Sequence, residues 1–311
     1  MTVPYPMNFA RACGEPVVMG ELRVAPADFL VEEDLGFVPS GAGEHVFLLV
    51  RKVGANTDWV ARQLALHFGV REFDVTYSGR KDRHAETTQW FGVWLPGKTS
   101  VQAEDIKIEG VTVVAVSRHN KKLRRGSHLA NRFMVRLRHV VGLPEELPSL
   151  QARIAQIQDT GFPNYFGEQR FGHGGANLVN ANRMFEGRQV ERNRRDLYLS
   201  AARSYLFNCE LSRRVADGSC YDGRQGWLAG TSRKGDAVFD REPEFEPWYS
   251  QFEQLGIKAI RRDLMVIPDG LTARLDGSDL LLAFCLPTGS YATSLLRELV
   301  IYTNRSGPGD E

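Results

Sequence analysis

The segment FDVTYSGRKDRHAETTQWFGVWL, residues 73–95, decides how the first part of the chain folds. Its opening residues, FDVTYS, combine β-branched and aromatic side chains, which predicts a strand. Gly79 interrupts that strand, and the polar stretch GRKDRHAE predicts a loop. The residues TTQWFGVWL predict a second strand, which ends at the turn pair Pro96-Gly97. The segment therefore predicts a sheet with a charged loop between two of its strands.

Strand and helix patterns continue on both sides of this segment. Residues 44–52 and 111–116 predict two further strands. Residues 132–138, RFMVRLR, alternate between apolar and basic side chains, which predicts a strand with one apolar and one basic face. Apolar residues at 60, 64 and 68 follow the capping residues at 56–58 and predict a helix that ends at Gly69.

The second half of the chain has a different character. An apolar stripe predicts a helix up to Gly161, and a loop rich in glycine, asparagine and arginine follows over residues 166–183. A helix is predicted over about 200–216, and hydrophobicity is low from Gly218 to Pro247. Strand-like sequence returns near the end, with LLLAFCLP at residues 280–287 and a short helix after it.

Chain length and this change of character predict two domains. A length of 311 residues corresponds to two domains at about 150 residues each. We expect an α+β fold in which residues 1–154 and 260–311 form one mixed-sheet domain, and residues 155–259 form a smaller inserted α/β domain. Simple sequential packing is the alternative.

Composition places the chain among ordinary globular proteins. Hydrophobic residues make up 42% and charged residues 25% of the sequence. The longest apolar run, residues 280–286, is far shorter than the roughly 20 residues that span a bilayer, and residues 1–16 lack the apolar core of a signal peptide. We therefore expect a cytoplasmic protein without membrane association. The scattered cysteines predict neither a zinc site nor disulfides.

Positive charge is concentrated although the net charge is only +1. No acidic residue lies between Glu109 and Glu145. The basic residues of that interval are Arg118, Lys121, Lys122, Arg124, Arg125, Arg132, Arg136 and Arg138. A polyanion such as RNA would respond to this local density rather than to the average. A solvated basic face, or a surface for an acidic protein, is the alternative interpretation.

Asp82 is the candidate for covalent chemistry. It lies in the loop after the first strand, between Lys81 and Arg83, and two flanking cations favour its ionised form. An ionised carboxylate can attack an anomeric carbon or an electron-poor ring carbon. From local sequence alone, a surface aspartate in a salt-bridged turn is the more common explanation. The sequence contains no P-loop, dinucleotide fingerprint, zinc-deaminase or G-x-S-x-G motif.

Several long segments of the chain resemble the TruD family of tRNA pseudouridine synthases. The segments that carry the resemblance, in chain order, are PADFLVEEDLGF (26–37), GRKDRHAETTQW (79–90), HNKKLRRG (119–126), NRF (131–133), PNYFGEQRFG (163–172), SAARSYLFN (200–208) and LPTGSYATSLLREL (286–299). The resemblance implies a mixed-sheet catalytic domain with a family-specific insertion domain. It also implies conversion of uridine 13, in the D-arm region of tRNA, to pseudouridine without cofactor or metal.

The resemblance also assigns site residues. It implies that Asp82 is the nucleophile, with Lys81 beside it, and that Phe29, Asn131 and Phe284 bind the uridine. Phe133 is a further expected wall of the site, and Lys81 or Arg83 would keep the carboxylate ionised. Lys121, Lys122, Arg124 and Arg125 are expected to contact the RNA backbone. Arg23 departs from the family, because some relatives are expected to carry lysine there.

Three functional hypotheses follow from these observations. The first is a tRNA pseudouridine synthase, with attack at C1′, attack at C6 or a glycal-like route left open. The second is a non-catalytic protein that binds or folds tRNA on the same scaffold. The third, a nucleoside or glycoside hydrolase, would release free uracil. We expect tRNA as the partner and a monomeric protein.

Overall fold

A computed structural model describes residues 5–97, 100–143, 145–231 and 241–306. The strands are β1 (Met19–Leu22), β2 (Phe29–Asp34), β3 (His45–Val53), β4 (Val75–Tyr77), β5 (Glu86–Trp94), β6 (Val111–His119), β7 (Ala130–Val141), β8 (Phe162–Pro163), β9 (Gln225–Leu228), β10 (Ile260–Asp263), β11 (Met265–Val266), β12 (Asp269–Asp276), β13 (Asp279–Pro287) and β14 (Ile301–Asn304). The helices are α1 (Thr57–Phe68), α2 (Leu147–Thr160), α3 (Ala176–Phe185), α4 (Arg192–Ala216), α5 (Glu246–Gln254) and α6 (Ala292–Leu299).

The described residues form two compact units. The sheet unit comprises those within Val17–Gln158, Pro268–Gly289 and Val300–Glu311. The helical unit comprises those within Met1–Pro16, Asp159–Ile267 and Ser290–Leu299.

In the sheet unit, ten of the described strands form one mixed sheet. Its main order is β12-β13-β7-β2-β5-β3-β6, with β1 joining β7 to β14 and β4 pairing with β5. The pairs β2/β5 and β1/β14 are parallel, and the other pairs are antiparallel. Parallel and antiparallel strands in one sheet, together with helices, confirm the predicted α+β class.

Helix α1 covers the apolar side of β3 and β5. Val60 and Leu64 of the helix are fully buried against Leu48, Phe91 and their neighbours. The helix ends where the sequence predicts, because Gly69 adopts a left-handed conformation with φ of 63° and its N–H group bonds back into the last turn. This helix therefore fixes which face of the sheet is enclosed.

The predicted strands are observed with shifted ends. The strands predicted at residues 44–52, 111–116 and 132–138 correspond to β3, β6 and β7, and β3 begins one residue later than predicted, at His45. The segment FDVTYS forms only the short strand β4, because a single turn of 3-10 helix occupies Glu72–Asp74. Helix α4 begins at Arg192, earlier than the predicted residue 200. Residues 232–240, within the stretch of low hydrophobicity, lie outside the described residues.

The helical unit has an aromatic core between α3, α4 and α5. The fully buried side chains Phe171, Phe207 and Phe252 lie in it. Each of the two short antiparallel pairs, β9/β10 and β8/β11, extends this unit. None of the helices among the described residues is both long and apolar enough to cross a bilayer.

The N-terminal segment and α6 belong to this helical unit rather than to the sheet unit. The Phe9 ring stacks on Tyr165 with 5.3 Å between ring centroids, and the Tyr165 hydroxyl donates to the carbonyl of Ala10 at 3.0 Å. Ser294 of α6 donates to the carbonyl of Tyr165 at 2.8 Å. These contacts explain why residues before 17 and residues 290–299 group with 159–267, whereas the sequence-based division had assigned them to the first domain.

We expect Phe9→Ala to lower the free energy of unfolding of the helical unit by about 3 kcal/mol, because it removes a buried ring from a packed core. Hydrogen exchange of α4 amides at increasing urea concentration measures this quantity. Phe73→Ala is the matched control, since its ring is 59% exposed whereas that of Phe9 is 9% exposed. Equal protection of α4 in wild type and Phe9→Ala would show that the N-terminal segment does not stabilise this core.

Candidate active site

Strand register places the candidate side chains on one face of the sheet. One row crosses five strands, each residue facing the next: Lys52, Thr87, Val31, Phe133 and Phe284. A second row lies two residues further along the same strands, where Glu33 faces Asn131 and Gln89 faces Val50. Since side chains alternate along a strand, these residues point to the same face as the first row.

The loop between β4 and β5, residues 78–85, carries Asp82. Its carboxylate pairs with the guanidinium of Arg23, with 2.9 Å between Oδ2 and Nη2. The other oxygen, Oδ1, accepts the N–H of His84 at 3.0 Å. The Asp82 side chain is only 16% exposed. Both oxygens are therefore hydrogen-bonded in a largely buried position, and one of these bonds is to a charged partner.

Arg23 lies between the carboxylate and an aromatic ring. Its guanidinium carbon is 4.1 Å from the centroid of the Phe29 ring, which is a cation–π distance. Its backbone is in the left-handed region, with φ of 59°, which is uncommon for a residue other than glycine and costs about 1 kcal/mol or more. The surrounding structure therefore holds this arginine in a defined place.

Lys81 pairs with a different carboxylate. Its ammonium lies 2.9 Å from Oε2 of Glu33, whose side chain is fully buried. The other oxygen of Glu33 accepts the N–H of Trp90 at 3.2 Å. Burial raises the pKa of Glu33 above its usual value, and the Lys81 ammonium opposes that rise. The ion pair of Asp82 is thus with Arg23, and not with Lys81 as the flanking position had suggested.

Side chains from the sheet and α1 satisfy the backbone of the 78–85 loop. The hydroxyl of Thr57 accepts the N–H of Lys81 at 2.9 Å and donates to Oε1 of Gln89 at 3.0 Å. The amide of Gln89 donates to the carbonyl of Gly79 at 3.0 Å. A loop that lacks regular backbone pairing is fixed by such bonds because buried peptide groups must be paired.

A second buried network contains His128 and Asn131. Ser78 Oγ lies 2.6 Å from Nδ1 of His128, and the amide of Asn131 lies 3.2 Å from Nε2 of the same ring. Burial and the Lys81 charge lower the pKa of His128 to about 4, so the ring is neutral at pH 7. The Oδ1 atom of Asn131 is buried without a partner. One acceptor of this amide is therefore unsatisfied among the residues that the structure describes.

Three phenylalanine rings line this part of the sheet. Phe133 and Phe284 stack with 5.1 Å between centroids, and Phe29 meets Phe133 edge to face at 6.1 Å. Phe133 is half-buried, whereas the other two rings are almost fully buried. Such rings can stack on a planar base.

The structure thus brings together Asp82, Lys81, Phe29, Asn131, Phe133 and Phe284. The side chain of Arg83 is directed to the connection between β3 and α1, where its Nε donates to the carbonyl of Gly54 at 3.2 Å. The side chains of Lys121, Lys122, Arg124 and Arg125 are exposed in the basic loop, residues 120–129, between β6 and β7. Among the described residues, no group of three or more histidine, cysteine, aspartate or glutamate side chains is arranged to hold a metal ion.

Sequence reasoning missed four residues of this arrangement: Arg23, Glu33, Lys52 and His128. A signal existed for Glu33, because β2 alternates and Glu33 shares the inward parity of Phe29 and Val31. An acidic residue at an inward position predicts a buried partner cation. Arg23 gave no comparable local signal, since its partner lies far away in the sequence.

These residues place three aromatic rings, a buried amide and a carboxylate paired with a guanidinium in one region of the sheet unit. The model for the family described as tRNA pseudouridine synthase D (TruD) matches residues 10–180. Two relatives named tRNA pseudouridine synthase D are each 40% identical. The alignment with the relative from Aeromonas hydrophila covers 92% of this chain and 92% of the relative. The alignment with the relative from Methylococcus capsulatus covers 97% of this chain and 96% of the relative.

A solved structure shares the fold of this chain. A crystal structure from Methanosarcina mazei that carries the TruD name matches with a TM-score of 0.65 over 96% of each chain, at 19% identity. This likeness confirms the fold. Because of the family model and the two relatives, the chain belongs to the TruD family.

We expect acid to weaken the site through His128. Its pKa falls from a usual value of 6.5 to about 4 in the fold, so its contribution to stability is present above pH 6.5 and is lost as the pH falls towards 4. At pH 4.5 the loss from this one group amounts to about 2 kcal/mol. Hydrogen exchange of β7 amides at pH 7 and pH 4.5, in wild type and His128→Gln, isolates this contribution.

The loss of stability between pH 7 and pH 4.5, measured from the exchange of the β7 amides, should be smaller in His128→Gln than in wild type by about 2 kcal/mol. Identical pH dependence in the two proteins would show that His128 is not held neutral. His67→Gln is the control, because that histidine is exposed on α1.

Proposed function

We propose that this protein isomerises uridine to pseudouridine in tRNA, with Asp82 as the nucleophile. Membership of the TruD family and the names of the two relatives support the activity. The observation that carries the assignment of the residue is the Asp82–Arg23 ion pair beside Phe29. The target is uridine 13 in the D-arm region, as the family resemblance implies.

The reaction rearranges one nucleoside without net oxidation. The N1–C1′ bond breaks, the base turns, and a C5–C1′ bond forms, while C5 loses a proton and N1 gains one. Asp82 attacks either C1′ or C6, or assists a glycal-like route. Arg23 pairs with the carboxylate before attack and pairs with it again when it is released.

The target base must leave its stack before Asp82 can reach it, which costs a few kcal/mol. The rings of Phe133 and Phe29 replace part of the lost stacking at about 1–3 kcal/mol per base. The unsatisfied amide atom of Asn131 pairs with the polar edge of uracil. Phe284 stacks behind Phe133 and fixes the orientation of that ring.

The basic loop contacts the RNA backbone beside the site. Lys122, Arg124 and Arg125 line a groove of about 750 Å³ together with Tyr77 of β4. The N–H of Gly126 bonds the carbonyl of Ser78 at 2.7 Å, which ties the basic loop to the start of the 78–85 loop. Phosphate contacts there position the strand without reading its sequence.

The sheet unit carries the whole chemical site in this proposal. Every side chain assigned to catalysis or uridine binding lies within Val17–Gln158 or Pro268–Gly289. One chain thus supplies the complete set, so the protein acts as a monomer. Its tRNA substrate places it in the cytoplasm.

We expect Asp82→Asn to abolish pseudouridine formation while leaving tRNA binding intact, because the amide has the same shape but is not a nucleophile. Release of tritium from tRNA labelled at C5 of uridine measures turnover, and filter binding measures affinity. Asp74→Asn is the matched control, since Asp74 forms an ordinary ion pair with Arg71 at 2.9 Å in the same unit.

Near-normal turnover of Asp82→Asn would refute the nucleophile. A wild-type protein that binds tRNA but forms no pseudouridine would favour the non-catalytic tRNA-binding protein. Release of free uracil would favour the hydrolase.

We expect Arg124→Ala with Arg125→Ala to reduce tRNA affinity and its dependence on salt. Each lost phosphate contact lowers the slope of log affinity against log salt by about 0.7–0.9. Extending the change to Lys121 and Lys122 should lower the slope further. Lys107→Ala with Arg274→Ala removes equal charge from exposed positions of the same unit. A slope equal to that of this control would place the basic loop away from the RNA.

A further inference from the structure

Lys52 is a fully buried cation on β3, in the same row of side chains as Phe133 and Phe284. Lysine is almost never buried completely unless its ammonium is paired, because removing that charge from water is costly. Here the hydrogen-bond partners of the ammonium are backbone carbonyls. Nζ donates to Ala55 at 2.7 Å and to Asp82 at 3.0 Å, and it lies 3.5 Å from the carbonyl of Lys81.

These acceptors belong to two segments that no regular backbone ladder joins. Ala55 lies in the connection from β3 to α1, whereas Lys81 and Asp82 lie in the 78–85 loop. An ammonium group has three donors, which matches three carbonyl oxygens arranged around it. Lys52 therefore links the peptide that carries the Asp82 carboxylate to strand β3 and to the connection that follows it.

The charge of the ammonium suits this position. Carbonyl oxygens present the negative ends of their dipoles, and the nearby Asp82 carboxylate also favours the charged form. Burial and the Lys81 charge act against it, and the pKa of Lys52 is lowered to about 8. The group is still mostly protonated at pH 7 and can make all three bonds.

We propose that Lys52 is a positioning residue, whose buried ammonium holds the Asp82 peptide so that the carboxylate stays paired with Arg23 beside the Phe29 ring. The proposal rests on the function proposed above, because Asp82 must be the reacting group for its position to affect the rate. Lys52 does not touch the substrate in this scheme. It acts through the backbone of the residue that does.

Lys52→Met tests the proposal, because methionine keeps most of the side-chain volume and removes the donors. We expect kcat for tritium release to fall about 100-fold, the order of loss that a displacement of about 1 Å produces. The KM for tRNA should change less than threefold, since the basic loop is untouched. Lys52→Gln retains two donors and should recover part of the lost kcat.

Hydrogen exchange gives a readout that does not depend on activity. The N–H of His84 donates to Asp82 Oδ1, and the N–H of Lys81 donates to Thr57. Both amides should exchange faster in Lys52→Met, while amides of β6 stay protected. Leu48→Ala is the matched control, because it removes buried volume from the same strand and face, and its side chain belongs to the apolar cluster with α1. It should lower stability and leave kcat and these two amides unchanged.

The outcomes separate the two proposals. A wild-type protein without Asp82-dependent turnover would refute the proposed function, and the exchange of His84 and Lys81 would still decide whether Lys52 fixes the loop. An active wild type with unchanged kcat in Lys52→Met would overturn the positioning role. Loss of folding in both Lys52→Met and Lys52→Gln would also overturn it, because the ammonium would then stabilise the whole sheet rather than one loop.

Discussion

The 78–85 loop between β4 and β5 has no backbone ladder of its own, so its buried peptide groups must find partners elsewhere in the fold. In the 78–85 loop three of those partners are side chains. Lys52 binds the carbonyl of Asp82, Thr57 binds the N–H of Lys81, and Gln89 binds the carbonyl of Gly79. Each donor or acceptor comes from a strand or a helix with its own packing. These bonds tie the loop that carries the Asp82 carboxylate to β3, β5 and α1.

Charge in the site is arranged as separate pairs rather than as one cluster. Glu33 takes the ammonium of Lys81, and Asp82 takes the guanidinium of Arg23. His128 is neutral at pH 7 because burial and Lys81 both disfavour its charged form. A buried charge without a partner would cost several kcal/mol. Glu33 and Asp82 therefore each have a cationic partner, and the buried ammonium of Lys52 is held by backbone carbonyls.

The face of the sheet and the basic loop divide the work of recognition in the proposed function. Aromatic rings and an amide in the enclosed region suit one extruded base, whereas exposed lysine and arginine side chains suit a phosphate backbone. The bond between Gly126 and Ser78 joins the two parts. A net charge of +1 conceals this division, because the acidic residues lie in other segments.

The sequence by itself determined the α+β class, most strands of the sheet, the end of α1 at Gly69 and, through the family segments, the loop that contains Asp82. These features depend on local periodicity, turn residues and long matching motifs. Tertiary structure alone decided that Arg23 pairs with Asp82, that Lys52 binds the 78–85 loop and that Phe9 packs on Tyr165. Each of these contacts joins residues far apart in the chain. The partner of each residue is selected by strand register and buried packing, and no local sequence pattern encodes these.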